Sequence, residues 1–202
     1  KYWEKQGCQF SAKAPTPLIL QQPTEFLEPT SPTATKTSEV WRKWEKSAVI
    51  NFEYPNGWHV HSGWPYNNEE PIKIRINPEP IDDAPQGGWD SVIIIYDYSG
   101  INNPEEILKK NIEEAKKNVS SLKETPLTIN STTFYKIEGE SNLFNQTVPV
   151  LEYHALLRGP NTDNINTHVI RAQLNYPNNE EEYKTYVEIF ERIVQSLRHK
   201  DQ

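Results

Sequence analysis

The 202-residue chain has one cysteine, no methionine and eight glycines. The lone cysteine, Cys8, can make no internal disulfide and no cysteine-rich zinc site. No stretch approaches the roughly 18 apolar residues that a helix needs to span a bilayer. Positive charge is in deficit: 21 Lys and Arg stand against 28 Asp and Glu, a formal charge of −7. This argues against nucleic acid as a partner, because phosphate backbones are held by basic patches. It fits a soluble protein, or one that meets a basic partner surface. Nucleophile and phosphate-binding signatures are also missing, with no G-x-S-x-G, no H-E-x-x-H and no Gly-rich phosphate loop. The first residue is Lys1 rather than Met, so the expectation is that something upstream was removed or left out.

What is present divides into three stretches. Residues 1–12 (KYWEKQGCQFSA) read as a leader or juxtamembrane segment. Gly7-Cys8 resembles the end of a lipoprotein signal and makes Cys8 a lipidation candidate, although Trp3-Glu4-Lys5-Gln6 is not the apolar stretch such a signal uses. Its Trp, Tyr and Lys equally suit the end of a membrane anchor. Residues 13–39 hold Pro15, Pro17, Pro23, Pro29 and Pro32 among Thr and Ser, which favours a semi-extended tether. Leu18-Ile19-Leu20 and Phe26-Leu27 are apolar spots within it, candidates for docking on a partner. Residues 40–202 read as one globular domain.

That domain is organised around Asn51 to Val60 (NFEYPNGWHV). Alternating residues, a Pro55-Asn56-Gly57 turn and a second alternating run predict a hairpin with Phe52, Tyr54 and Trp58 as core aromatics. Just upstream, Trp41 and Trp44 are three apart and predict a short helical turn lidding the core. Ile72, Ile74 and Ile76 alternate with Lys73 and Arg75, a half-buried strand. Residues 77–88 are acidic and Pro-rich, hence loop. Residues 91–98 (SVIIIYDY) predict a central strand. Asn103-Pro104-Glu105-Glu106 starts a helix running to about Leu122, with Ile107, Leu108, Ile112, Ala115 and Val119 inward. Three strands follow, over 134–140, 150–158 and 168–176. Leu151, Tyr153, Ala155 and Leu157 of the second point one way, as do Ile170, Ala172, Leu174 and Tyr176 of the third, so these two read as neighbouring antiparallel strands with one face on the core. A last helix starts near Asn179, with Tyr183, Val187, Phe190, Val194 and Leu197 on one stripe. The domain is therefore α+β, with a central antiparallel sheet flanked by helices.

Few residues point to chemistry. His59 and His61, two apart on a strand, share a face and are the start of a divalent metal site, with Glu69, Glu70, Asp82 and Asp83 near enough in sequence to complete it. The plainer reading is two polar positions beside a turn. His154 and His168 are a second candidate pair, placed on the sheet face away from the apolar one. Trp64, Tyr66 and Trp89 fall in predicted loops, where aromatics mark a partner surface or fold back over the core. Sequons stand at Asn118, Asn130 and Asn145.

Four motifs resemble the PsbP family, the extrinsic proteins of photosystem II and their bacterial relatives. They are Phe52-Glu53-Tyr54-Pro55-Asn56-Gly57-Trp58, Asn103-Pro104-Glu105-Glu106-Ile107, Thr133-Phe134-Tyr135-Lys136-Ile137-Glu138-Gly139 and Phe190-Glu191-Arg192-Ile193-Val194-Gln195-Ser196-Leu197. Together they span about 41–199. The resemblance implies a PsbP-like α/β/α sandwich and a non-catalytic accessory or assembly subunit of a membrane protein complex. It would sit in the thylakoid lumen or on the periplasmic side of a membrane, with photosystem II or a related assembly as its partner. The family binds metals, but no ligand residue is matched here. The alternative function is an extracytoplasmic small-ligand or metal-binding module built on His59 and His61.

Overall fold

The computed structural model describes residues 40–46, 50–63, 70–80, 92–98, 102–117, 119–143, 146–160, 167–175 and 179–201. All of them fall in the second of the chain's two units, Ala34–Gln202. The tether residues Leu18, Ile19, Leu20, Phe26 and Leu27 lie outside the described residues, as do Cys8, Trp64, Tyr66 and Trp89. The strands are β1 (Trp41–Trp44), β2 (Ile50–Pro55), β3 (His59–Gly63), β4 (Ile72–Asn77), β5 (Ile93–Tyr98), β6 (Ser120–Ile129), β7 (Thr132–Leu143), β8 (Gln146–Arg158), β9 (Thr167–Leu174) and β10 (Arg198–His199). The helices are α1 (Pro104–Lys117) and α2 (Glu180–Ser196). The class is α+β, and every strand pairing is antiparallel.

Seven strands form the main sheet in the order β3-β4-β5-β9-β8-β7-β6, and β1-β2-β10 form a small one. Alternation decides the faces of the main sheet. Register sets Leu151, Tyr153 and Ala155 of β8 against Leu174, Ala172 and Ile170 of β9. All six are buried in the core, with Ile74, Ile76, Ile93 and Ile95 from β4 and β5. Helix α2 covers this face with Ile189, Phe190, Ile193 and Val194, and Phe190 meets Tyr153 edge-on at 5.6 Å. Helix α1 packs over β7, β8 and β9, burying Ile112 and Ala115. It lies on the opposite face, because its Glu105 reaches Arg158, which alternates with the α2-facing residues of β8. The predicted flanking of the sheet by helices on both sides is therefore present.

The start of α2 follows its sequence signal. The Asn179 side chain accepts from the Glu181 and Glu182 amides, satisfying two donors that a helix start leaves open. At α1, Asn103 has φ 58°, which asparagine tolerates better than most residues, and its carbonyl accepts from Glu106 and Ile107.

Three expectations are corrected. Residues 41–44 are a strand, not a helical turn. Four residues cannot nucleate a helix alone, and β2 offers a backbone ladder that sets Trp44 opposite Phe52, stacked at 6.1 Å. The Pro55-Asn56-Gly57 turn exists, with the Trp58 amide bonded to the Pro55 carbonyl at 3.1 Å, but its flanking strands do not pair. β2 joins the small sheet and β3 the main one. Only Gly57 of the two central residues has positive φ, at 89°, the pattern of a turn that splays strands rather than closing a hairpin. Finally, α1 stops at Lys117, and residues 120–129 form the unpredicted edge strand β6. The first half of β6, Ser120 to Glu124, is exposed on both sides and has no alternation to read; only Leu127 and Ile129 near its end alternate onto the core, and Pro126 is tolerated because an edge strand needs fewer donors. A register shift between Ser120 and Lys123 brings β6 so close to Gly139 that a Cβ there would sit 2.6 Å from the Ser120 carbonyl. The β6–β7 hairpin closes through Asn130 (φ 48°) and Ser131 (φ 65°), the two consecutive left-handed residues of a type I′ turn, without the usual glycine.

Candidate functional site

The α1-side face of the main sheet is polar where its other face is aliphatic. Register builds two adjacent rows across it. One runs Lys73, Tyr96, Arg171, His154, Tyr135; the next runs His61, Arg75, Ile94, Gln173, Glu152, Ile137. Each residue comes from a different strand of a rigid ladder, so the geometry is held by backbone pairing rather than by loops.

Glu152 is the centre of the polar part. It is 5% exposed, and Arg171 grips it with two hydrogen bonds, Nε to Oε2 at 2.9 Å and a terminal nitrogen to Oε1 at 2.7 Å. His154, fully buried, lies 3.0 Å from the same carboxylate through Nε2. A carboxylate accepts, so Nε2 carries the proton. His154 Nδ1 is buried and has no hydrogen-bond partner among the described residues. Burial pushes the Glu152 carboxyl up, but the bonds from His154 and Arg171 outweigh it and hold the group below its ordinary value. Arg171 also lies 5.5 Å from the Tyr96 ring centre and Lys73 6.0 Å from it on a neighbouring strand. Burial raises the Tyr96 phenol, against a lowering from Arg171. Tyr98 is raised by burial in the same way, and Asn111 of α1 lies beside it. Tyr96, Tyr98, Arg171 and Gln173 stay half-buried and Lys73 is exposed, so this polar belt is open to solvent beside α1.

His59 and His61 do share this face, as expected. His61 Nδ1 accepts from Arg75 at 3.2 Å, and a guanidinium at that nitrogen competes with any metal cation. Among the described residues no group of three or more His, Cys, Asp or Glu is placed to hold a metal ion. Glu69, Asp82 and Asp83 lie outside the described residues. The expected pairing of His154 with His168 is corrected. His154 stands opposite Arg171 and His168 opposite Leu157, so they occupy opposite faces.

His168 belongs to a separate buried group on the α2 side. Its Nδ1 donates to Asp97 Oδ1 at 3.0 Å, and its ring lies 5.6 Å from that of His199 on β10. His199 is buried and accepts from the Asp201 amide at 3.2 Å. Its pKa is lowered by burial, then by His168, against smaller raising effects of Asp201 and Asp97. Below the ordinary histidine value the unfolded chain therefore binds more protons at this site than the folded one. The stability held by neutral His199 is present above about pH 6.5 and is lost as pH falls through the folded pKa. His199→Gln is expected to flatten the fall in urea midpoint between about pH 7 and pH 5. A slope unchanged from wild type would contradict this assignment.

No protein-family model and no curated protein sequence matches the chain. Among solved structures the chain is similar to "LpqN involved in cell envelope biogenesis of Mycobacterium tuberculosis", with 14% identity over 79% of this chain and 90% of that one and a TM-score of 0.45. A likeness at that level carries no argument about role. The resemblance to the PsbP family thus rests on the four short motifs alone.

Proposed function

We propose that residues 40–202 are a non-catalytic binding domain, an extrinsic accessory or assembly subunit of a membrane protein complex. It meets its partner through the polar belt of Lys73, Tyr96 and Arg171. The observation that carries this reading is the bidentate Arg171–Glu152 pair, set beside aromatic rings on a sheet face that α1 leaves half open. A charged group anchored in this way is held rigidly for recognition, and arginine and tyrosine are enriched where binding energy concentrates.

The N-terminal segment, with Cys8 and the apolar spots of the tether, belongs to the same proposal as the membrane attachment, and so does an extracytoplasmic location. Among the described residues no helix is long and apolar enough to cross a membrane. Neither photosystem II nor the thylakoid lumen has support from the comparisons. One observation favours the small-ligand alternative on this same face: His154 Nδ1 and Asn111 Nδ2 are both buried there without partners.

The test is a native pull-down from solubilised membranes with the full chain, comparing wild type with Lys73→Glu/Tyr96→Ala. The expected result is a membrane protein recovered with wild type and depleted at least about tenfold with the variant, since two interface anchors are removed. Equal recovery with both would reject the belt as the contact. Recovery of the chain alone would reject the accessory-subunit reading.

A further inference from the structure

The small sheet carries a recess, independent of the polar belt. Ile50 and Phe52 of β2 are buried, so Asn51 and Glu53 project from the opposite side of the strand. Register places Lys43 of β1 opposite Glu53 and Arg198 of β10 opposite Asn51. These four, with Lys200, line a cavity of about 230 Å³ whose wall includes Phe52 and Ser196.

Three features distinguish the recess from an ordinary solvated surface. Three cations stand against one carboxylate, in a chain whose formal charge is −7. Among the described residues none of Lys43, Arg198, Lys200 and Glu53 is in an ion pair. Asn51 Oδ1 is buried without a hydrogen-bond partner. The wall is fixed: Ser196 Oγ accepts from the Glu53 amide at 2.8 Å and donates to the Ile193 carbonyl at 2.7 Å, and Arg198 Nε donates to the Ser196 carbonyl at 3.2 Å.

We infer that this recess binds a small polyol phosphate, either free or as the headgroup of a phospholipid. Arginine and lysine together suit a phosphate, the guanidinium through its fork of donors and the ammonium as a point charge. The unpartnered Asn51 oxygen accepts from a hydroxyl next to that phosphate, and Glu53 is the second acceptor. The volume lies below the roughly 300–1,000 Å³ of pockets for drug-sized ligands, which restricts the ligand to a headgroup-sized molecule.

The test uses the full chain and two probes. One is glycerol 3-phosphate, titrated while backbone amide NMR shifts are followed. The other is phosphatidylcholine vesicles with or without phosphatidylglycerol, followed by co-sedimentation. Saturable shifts at the Asn51 and Lys43 amides are expected with glycerol 3-phosphate if the ligand is free. Sedimentation that requires phosphatidylglycerol is expected if it is a headgroup. In either case Arg198→Gln/Lys200→Gln, and separately Lys43→Gln, should weaken binding by at least about tenfold, the effect of losing a charge-assisted hydrogen bond. These side chains are exposed, so the variants keep the fold. No saturable response to either probe, or a response that both variants leave intact, overturns the inference.

Discussion

Phe190→Ala is expected to lower the unfolding free energy by about 3–5 kcal/mol, the range for truncating a large aromatic in a packed core. Phe190 has no exposed surface and joins α2 to the main sheet through Tyr153. The site has little freedom to collapse. Ile189, Ile193 and Val194 are themselves buried beside it, and the Tyr153 hydroxyl is tied to Glu191 of the same helix at 3.2 Å. That tie is itself embedded in charge. Lys136 reaches Glu191 at 2.9 Å, and burial raises the Tyr153 phenol to about 12 against the lowering effect of Lys136. A side chain fixed at both ends cannot swing in to fill a hole. Urea denaturation measures the loss directly. A deficit below about 1 kcal/mol would mean that α2 is not the element that closes this core.

Arg171→Ala is the second large effect, about 2–4 kcal/mol at neutral pH. Removing one partner of a fully buried pair costs about 3–5 kcal/mol, and the Arg171 side chain keeps 27% of its exposure, which reduces the figure. The damage comes from Glu152, left with His154 alone in a site where burial already works against its charge. The pH dependence should identify this cause. In wild type the Glu152 pKa is depressed, so its contribution is present above the ordinary carboxylate value and is lost as pH falls through the folded one. Without Arg171 burial dominates and the folded pKa rises. The penalty is then largest at neutral pH and shrinks as acid protonates Glu152. Urea midpoints of both proteins from about pH 7 to pH 4 test this, and a deficit that does not change with pH would contradict it.

Strong periodicity was readable in the sequence, and it also made β8 and β9 antiparallel neighbours, whereas the pairing of β2 and β3 was misread. The α2 cap at Asn179, the isoleucine alternation of β4 and the shared face of Leu151, Tyr153 and Ala155 all appear in the structure where local pattern placed them. Each is fixed by neighbours along the chain. The misread Asn56-Gly57 turn shows the limit, because a turn brings the chain round without saying whether its strands pair with each other. β6 left little trace because its first half is exposed on both faces and only Leu127 and Ile129 alternate onto the core. The polar belt was only half visible. His61 and the Lys73/Arg75 alternation stand out in sequence, whereas the Arg171–Glu152 pair depends on cross-strand register between residues 19 apart. A charged residue at the inward-alternating positions of two successive apolar strands was the available signal. The anion recess had none, since it joins residues near 43, 51 and 198.

The most direct test of the central claim is hydroxyl-radical footprinting of the full chain in native membranes against the same chain free in solution. The polar-belt account predicts protection of Tyr96 and Tyr98 in membranes, and loss of that protection in Lys73→Glu. Equal labelling of these tyrosines in both settings, with protection confined to other surfaces, would contradict it.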